Sequence, residues 1–199
     1  MRSALRQDPD VILMGEMRDR DTMEFAITAA ETGHLVFSTL HTNDAKQTLD
    51  RIIDAFSQSA FSTQVRTQLA LTLRAVVCQR LMKRADGTGM VPAIEILVNS
   101  PNVRQMLLEG NTQELDKVMQ NDTYYGMQSF NQALLRLVKD GVATEDEALT
   151  TSSTPEDLKL GLRGVTRRSG GGSVDDDFSA PRKGGKSPNR GGIQRGFEF

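Results

Sequence analysis

The chain has no tryptophan, one cysteine (Cys78) and two histidines (His34 and His41) among its 199 residues, and aromatic residues make up only 5% of it. A lone cysteine excludes a disulfide framework and a cysteine-based zinc site. Cys78 lies among Ala75, Val76, Val77 and Leu81, a setting for a buried, inert thiol. The spacing of the two histidines does not suit a zinc pair, and no third His or further Cys completes one. Ser38 and His41 do not form a hydrolase nucleophile elbow, because G-x-S-x-G is missing. No apolar run approaches membrane-spanning length, and no charged segment followed by a long apolar stretch opens the sequence. Basic residues do not alternate with aromatics along a stripe, which argues against nucleic acid as a ligand. The expectation is a cytoplasmic protein with no transmembrane segment, docked at a membrane machine only through a partner.

The net charge of −2 hides an asymmetry. Residues 166–199 hold seven of the 24 basic and four of the 26 acidic residues, leaving 17 basic against 22 acidic in the body. The same segment holds eight of the 17 glycines, with Ser, Pro and scattered charge, and such a composition buries too little surface to fold. It is read as a disordered tail, whose Phe197-Glu198-Phe199 end is either a docking motif or simply an end.

The informative stretch is Leu5-Arg6-Gln7-Asp8-Pro9-Asp10-Val11-Ile12-Leu13-Met14-Gly15-Glu16-Met17-Arg18-Asp19. The apolar run Val11–Met14, bounded by Pro9 and Gly15, suits a parallel-sheet strand buried on both faces. Ligands of such sheets sit at the carboxyl ends of the strands, where Glu16 emerges. A carboxylate there can orient or deprotonate a water that attacks a nucleotide γ-phosphate. Read alone, Glu16 is also compatible with a solvated strand end. A helix over Asp21–Glu31 follows, with Asp19 or Asp21 as its N-cap and Gly33 as its stop, then a strand over Leu35–Leu40. Strand, helix and strand make one βαβ unit with parallel, neighbouring strands.

Further on, Asp44–Phe56 reads as a helix with Leu49, Ile52, Ile53 and Phe56 on one stripe, and Thr63 to about Val77 as a longer helix. Arg80–Lys83 and Met90–Val98 form a hairpin around Ala85-Asp86-Gly87-Thr88-Gly89. From Pro101 the pattern is helical: one helix starts after Ser100, and others cover about Gln113–Gln120, Ser129–Asp140, Glu145–Leu149 and Glu156–Leu162.

The fifteen-residue string resembles the signature of the secretion and type IV pilus ATPases. Ala30-Glu31-Thr32-Gly33-His34-Leu35-Val36-Phe37-Ser38-Thr39-Leu40-His41-Thr42-Asn43-Asp44-Ala45 resembles that family's histidine box. Asn102-Val103-Arg104-Gln105-Met106-Leu107-Leu108-Glu109 and Gly126-Met127-Gln128-Ser129-Phe130 are similar to motifs of its twitching-motility, pilus-retraction branch, although Asn102 and Leu108 replace the usual Ala and Arg. The resemblance covers roughly residues 4–165. It implies an α/β fold: part of a RecA-like P-loop NTPase core, the C-terminal half of its sheet, over 1–100, a helical C-terminal domain over 101–165, and the tail over 166–199. It implies Glu16 as catalytic carboxylate and His41, with His34, as γ-phosphate sensors. Glu16, Thr39, His41 and Thr42 are the candidate nucleotide contacts, and no residue is assigned to a metal. Gly15 stands where most P-loop enzymes place a Mg²⁺-liganding Asp, as is normal for this family, so metal contact would run through water or a phosphate-loop hydroxyl.

The family's G-x-x-x-x-G-K-[ST] phosphate loop is missing from the whole sequence. Gly185-Lys186-Ser187 supplies a G-K-S, but Ala180 stands where the first Gly is needed. The chain is therefore expected to be the C-terminal part of an ATPase, either a truncated product or a fragment, inactive alone. ATP and Mg²⁺ are implied only together with the missing portion. The resemblance further implies a motor subunit of a homo-hexameric ring, working on a type IV pilus at its inner-membrane platform. Two alternatives stand beside it: a non-catalytic assembly or regulatory module of such a ring, and a pilus-assembly or type II secretion ATPase. The second of these relatives carries a four-cysteine zinc element after the Gln79-Arg80-Leu81 stretch, which this chain lacks.

Overall fold

In the computed structural model, residue 7 and residues 9–57 and 62–164 are described. The expected tail, the G-K-S and the terminal Phe197-Glu198-Phe199 lie outside them, as do several residues of the first motif.

Strand β1 (Val11–Glu16), helix α1 (Arg20–Glu31) and strand β2 (Leu35–Thr39) form the expected βαβ unit, and the strands pair in parallel from Val11 opposite Leu35. Of the two candidate caps the chain uses Asp19, whose carboxylate accepts from Thr22 N at 2.8 Å while Asp19 N donates back to Thr22 Oγ1 at 3.3 Å. Gly33, at φ +99°, turns the chain out of α1 in a conformation open to glycine and costly for other residues.

The expectation that β1 is buried on both faces is corrected. Ile12 and Met14 pack on Ala26 and Ala29 of α1, but Leu13 is 81% exposed and Val11 53%. Phe37, opposite Leu13, is 53% exposed as well. Side chains alternate across a strand, and among the described residues α1 covers only one face of this pair.

Helix α2 (Ala45–Asp54) starts from Asp44, which accepts from Gln47 N, and buries Leu49 and Ile52. Helix α3 (Ser62–Thr72) is shorter than the sequence suggests, which is the second correction. Ala75, Val76 and Val77 belong to strand β3 (Ala75–Lys83), paired antiparallel with β4 (Met90–Val98) in unbroken register from Ala75–Val98 to Lys83–Met90. A short apolar run serves a helix end or a strand equally well. The long-range pairing with Ile96, Leu97 and Val98 decides it here.

Five α-helices follow among the described residues: α4 (Pro101–Glu109), α5 (Leu115–Asn121), α6 (Phe130–Lys139), α7 (Glu145–Thr151) and α8 (Pro155–Leu162). Ser100 caps α4 with Pro101 at its first position, and Gly110 ends it at φ +72°. The largest apolar cluster joins Leu49 of α2, Met82 of β3 and Leu97 of β4 to Leu107, Met119 and Leu134 of the later helices. Another cluster sets Met23 and Ile27 of α1 against Ile52 of α2 and Leu69 of α3. The fold is α/β, with two two-stranded sheets among the described residues.

Candidate functional site

At the carboxyl end of β1 the pairing slips. Leu13 faces Phe37 but Glu16 faces Thr39, so β1 uses three residues where β2 uses two. Such a bulge re-aims the side chain that follows it. Thr39 Oγ1 donates to Gly15 O at 2.7 Å and Met17 N to Thr39 O at 3.0 Å, which fixes the bulge under Glu16. A Cβ at Gly15 would meet nothing within 4 Å, so the space before the Glu16 backbone is open.

Two groups face the Glu16 carboxylate. Arg18 Nε donates to Oε2 at 2.5 Å, and His41 Nε2 lies 3.4 Å from Oε1. The Arg18 hydrogen bond holds the Glu16 carboxyl below the usual range; burial opposes it, and the charges of Arg18, His41 and Arg51 reinforce it. The Glu16 side chain is 18% exposed against 81% for the His41 ring. Arg18 takes Glu16, and Asp19 caps α1.

The loop carrying His41 is held at every residue. Arg51 Nη1 donates to His41 O at 3.2 Å, and the Thr42 and Thr48 hydroxyls lie 2.7 Å apart. Asn43 N and Nδ2 donate to Gln47 Oε1 at 3.3 and 3.2 Å. Arg80 donates to Asn43 O from Nε and Nη2, at 3.2 and 3.0 Å. The backbone is held while the imidazole, beside Glu16, stays open to solvent and can meet an incoming group.

The structure brings Glu16, Thr39 and His41 together. Thr39 and Thr42 spend their hydroxyls on Gly15 O and Thr48, so each shapes the loop. His34 lies at the other end of β2, its Nδ1 3.0 Å from both Ala29 O and Thr32 Oγ1, where it helps close α1. Among the described residues no group of three or more His, Cys, Asp or Glu is placed to hold a metal ion. Glu16, engaged by Arg18, offers a single carboxylate, which by itself does not make a Mg²⁺ site.

The profile of the family described as "Type II/IV secretion system protein" matches residues 1–150, three quarters of the chain. The chain belongs to this family. It is 44% identical over 158 residues to the twitching motility protein of Neisseria gonorrhoeae, covering 79% of this chain and 42% of that protein. With the type IV pilus ATPase PilU of Pseudomonas aeruginosa it shares 42% identity over 163 residues, 82% of this chain and 42% of the other. Its fold matches a crystal structure of the pilus retraction motor PilT with bound ADP at a TM-score of 0.72 and 43% identity, over 79% of this chain and 44% of that one. The chain thus spans under half the length of these relatives. No helix among its described residues is long and apolar enough to cross a membrane.

Two residues that brace the elements around Glu16 and His41 have no role in the sequence analysis. Glu95, on β4, is 3% exposed and accepts from Ala45 N at 2.7 Å and Phe130 N at 3.3 Å, so one buried carboxylate holds the starts of α2 and α6. Burial pushes its pKa up against those two hydrogen bonds, and the charges of Asp44 and Asp116 push the same way. The available signal was a lone acid inside the apolar run Met90-Val91-Pro92-Ala93-Ile94-Glu95-Ile96-Leu97-Val98. Arg80 showed itself in the same way, as a cation in strand β3 at an inward-facing position.

Proposed function

We propose that this protein is a motor subunit of a type IV pilus, of the retraction type, built on part of a RecA-like core, with the Glu16–His41 pair as its nucleotide-facing chemistry. The observation that carries this reading is the Glu16 carboxylate with an exposed imidazole 3.4 Å away, at the carboxyl end of a parallel strand pair. There Glu16 orients an attacking water by accepting its hydrogen, and His41 offers a ring nitrogen to the γ-phosphate oxygens. A lowered pKa makes Glu16 a weak base, so its contribution is orientation before proton transfer. The exposed apolar face carrying Leu13 and Phe37 supports a larger core in which further elements cover it. A hexameric ring, ATP with Mg²⁺ and a pilus platform as partner belong to the same proposal. The single cysteine speaks against the assembly and type II branch with its four-cysteine zinc element.

The test is Glu16→Gln in the protein's own gene. The amide keeps the shape but loses the negative charge that orients the water, so twitching motility should be lost while pili persist. Unchanged twitching would leave Glu16 as a strand end. The missing phosphate loop favours a second reading, a non-catalytic module that joins such a ring. Calorimetry of the isolated chain with ATP separates the two. No binding at micromolar ATP supports the module, and binding weakened by His41→Ala supports the motor.

A further inference from the structure

We propose that Arg80 is the positioning residue of the His41 loop and ties that loop to the end of α7, so that the helical region after Pro101 sets where the imidazole stands relative to Glu16. The inference rests on the Glu16–His41 reading above.

The geometry is a three-way clamp. On one side the Arg80 guanidinium donates to Asn43 O, two residues from His41. On the other side Nη1 donates to Thr151 O at 2.8 Å, the last residue of α7, and Nη2 to Ser153 Oγ at 2.8 Å. Between them the group lies over the Phe130 ring at 4.1 Å from its centroid, and the Arg80 side chain is only 19% exposed. Only a planar fork of donors meets these acceptors together; a lysine ammonium on a flexible stem cannot hold the same set in one geometry.

The other loop contacts, Arg51 to His41 O, Thr42 to Thr48 and Asn43 to Gln47, all come from α2, the helix the loop leads into. They would move with the loop. Arg80 is the loop contact that also touches α7, 71 and 73 positions along the chain. Glu95 provides a parallel tie one step later, since its carboxylate joins the first residue of α2 to the first residue of α6. Both ties leave from the β3–β4 hairpin, which makes this hairpin the common base of the His41 loop and the later helices.

The experiment reads the ring signals of the two histidines by nuclear magnetic resonance on the full chain, without nucleotide. His34 serves as internal reference, because its contacts are to Ala29 and Thr32 at the far end of β2. In the parent chain Glu16→Gln should move the His41 signals, since it removes a carboxylate 3.4 Å away. In an Arg80→Lys background that move should shrink, with His34 unchanged in both. Ser153→Ala, an exposed substitution that leaves β3 and the loop intact, should reduce it in the same direction by less. An undiminished Glu16→Gln effect in folded Arg80→Lys, or in Ser153→Ala should Arg80→Lys not fold, would overturn the proposal. Because none of these signals needs ATP, a chain that binds no nucleotide yet shows the dependence loses the motor reading and keeps this one.

Discussion

Replacing Glu95 tests the fold where charge and packing meet. Its two carboxylate oxygens accept from Ala45 N and Phe130 N, which sit at the first turns of α2 and α6 and have no acceptor within their own helices. Glu95→Leu fills similar volume and removes both acceptors. A buried ion pair can often be exchanged for apolar residues without loss, because both partners leave. Here the partners are backbone amides and cannot leave. An orphaned buried donor costs roughly 1–3 kcal/mol, so two give roughly 2–6 kcal/mol, less whatever is regained by no longer burying a carboxylate. Against a domain stability of about 5–15 kcal/mol that is a large fraction. Glu95→Gln keeps one acceptor oxygen and should cost roughly 1–3 kcal/mol. Urea unfolding followed by circular dichroism at pH 7 measures both. Leu as stable as the parent would show that the helix starts find other acceptors.

The pH dependence gives the same experiment a second handle. Burial raises the native pKa of Glu95 above its unfolded value, so the native state binds the proton more tightly than the unfolded one. The contribution of Glu95 to stability therefore falls as pH rises from the unfolded carboxylate range through the raised native pKa. Gln does not titrate. The stability advantage of the parent over Glu95→Gln should therefore be larger near pH 4.5 than near pH 7. An advantage that grew with pH would mean the two amide hydrogen bonds outweigh burial.

Cys78 is 7% exposed and its thiol is pushed up to about 11, first by burial, so iodoacetamide at pH 7.5 should label it far more slowly in native than in urea-unfolded protein; equal rates would refute its burial. Leu134→Ala at a fully buried position of α6 should cost roughly 2–5 kcal/mol by denaturant titration, and a loss under 1 kcal/mol would show that the core around it collapses easily. Leu13→Lys, at 81% exposure, should leave stability within about 0.5 kcal/mol while raising solubility; a clear loss of stability would mean that the outer face of β1 is packed.

The local grammar of this chain is readable from sequence, because capping and turn signals act over three or four residues. Asp19 before Thr22, Ser100 before Pro101 and Ser129 before Gln132 each start a helix where the side chain can reach its own backbone. The β3 boundary was not readable: Ala75–Val77 continues a helical pattern, and only partners about twenty positions away turn it into strand. The two faces of β1 diverge for a related reason, since an apolar run states that a strand can be covered on both sides and not that both covers are present. At the site, the proximity of Glu16 and His41 follows from the βαβ turn and is implied by the family motifs. The Arg18 partner, only two residues away, is not legible in the sequence, because an arginine after a strand end can turn toward a neighbour, a cap residue or the acid behind it.

Arg80 and Glu95 belong to a different class of miss. Each is a charge placed in a strand whose other inward-facing residues are apolar, and neither has its main partners nearby in sequence: Arg80 reaches Asn43 and Thr151, Glu95 reaches Ala45 and Phe130. Burying such groups is unfavourable unless their hydrogen bonds are made, so each marks a point where several backbone groups converge and apolar packing cannot satisfy them. In this fold those groups are helix starts, a loop carbonyl and a helix end, which is where an α/β unit must be joined to the helices that follow it. The motif Gly126-Met127-Gln128-Ser129-Phe130 then has a physical content: Gln128 pairs with Ile96, Ser129 caps α6, and Phe130 gives its N–H to Glu95 and its ring face to Arg80. If Arg80 positions the His41 loop as proposed, removing the Phe130 ring should disturb that loop through the hairpin without touching Glu16.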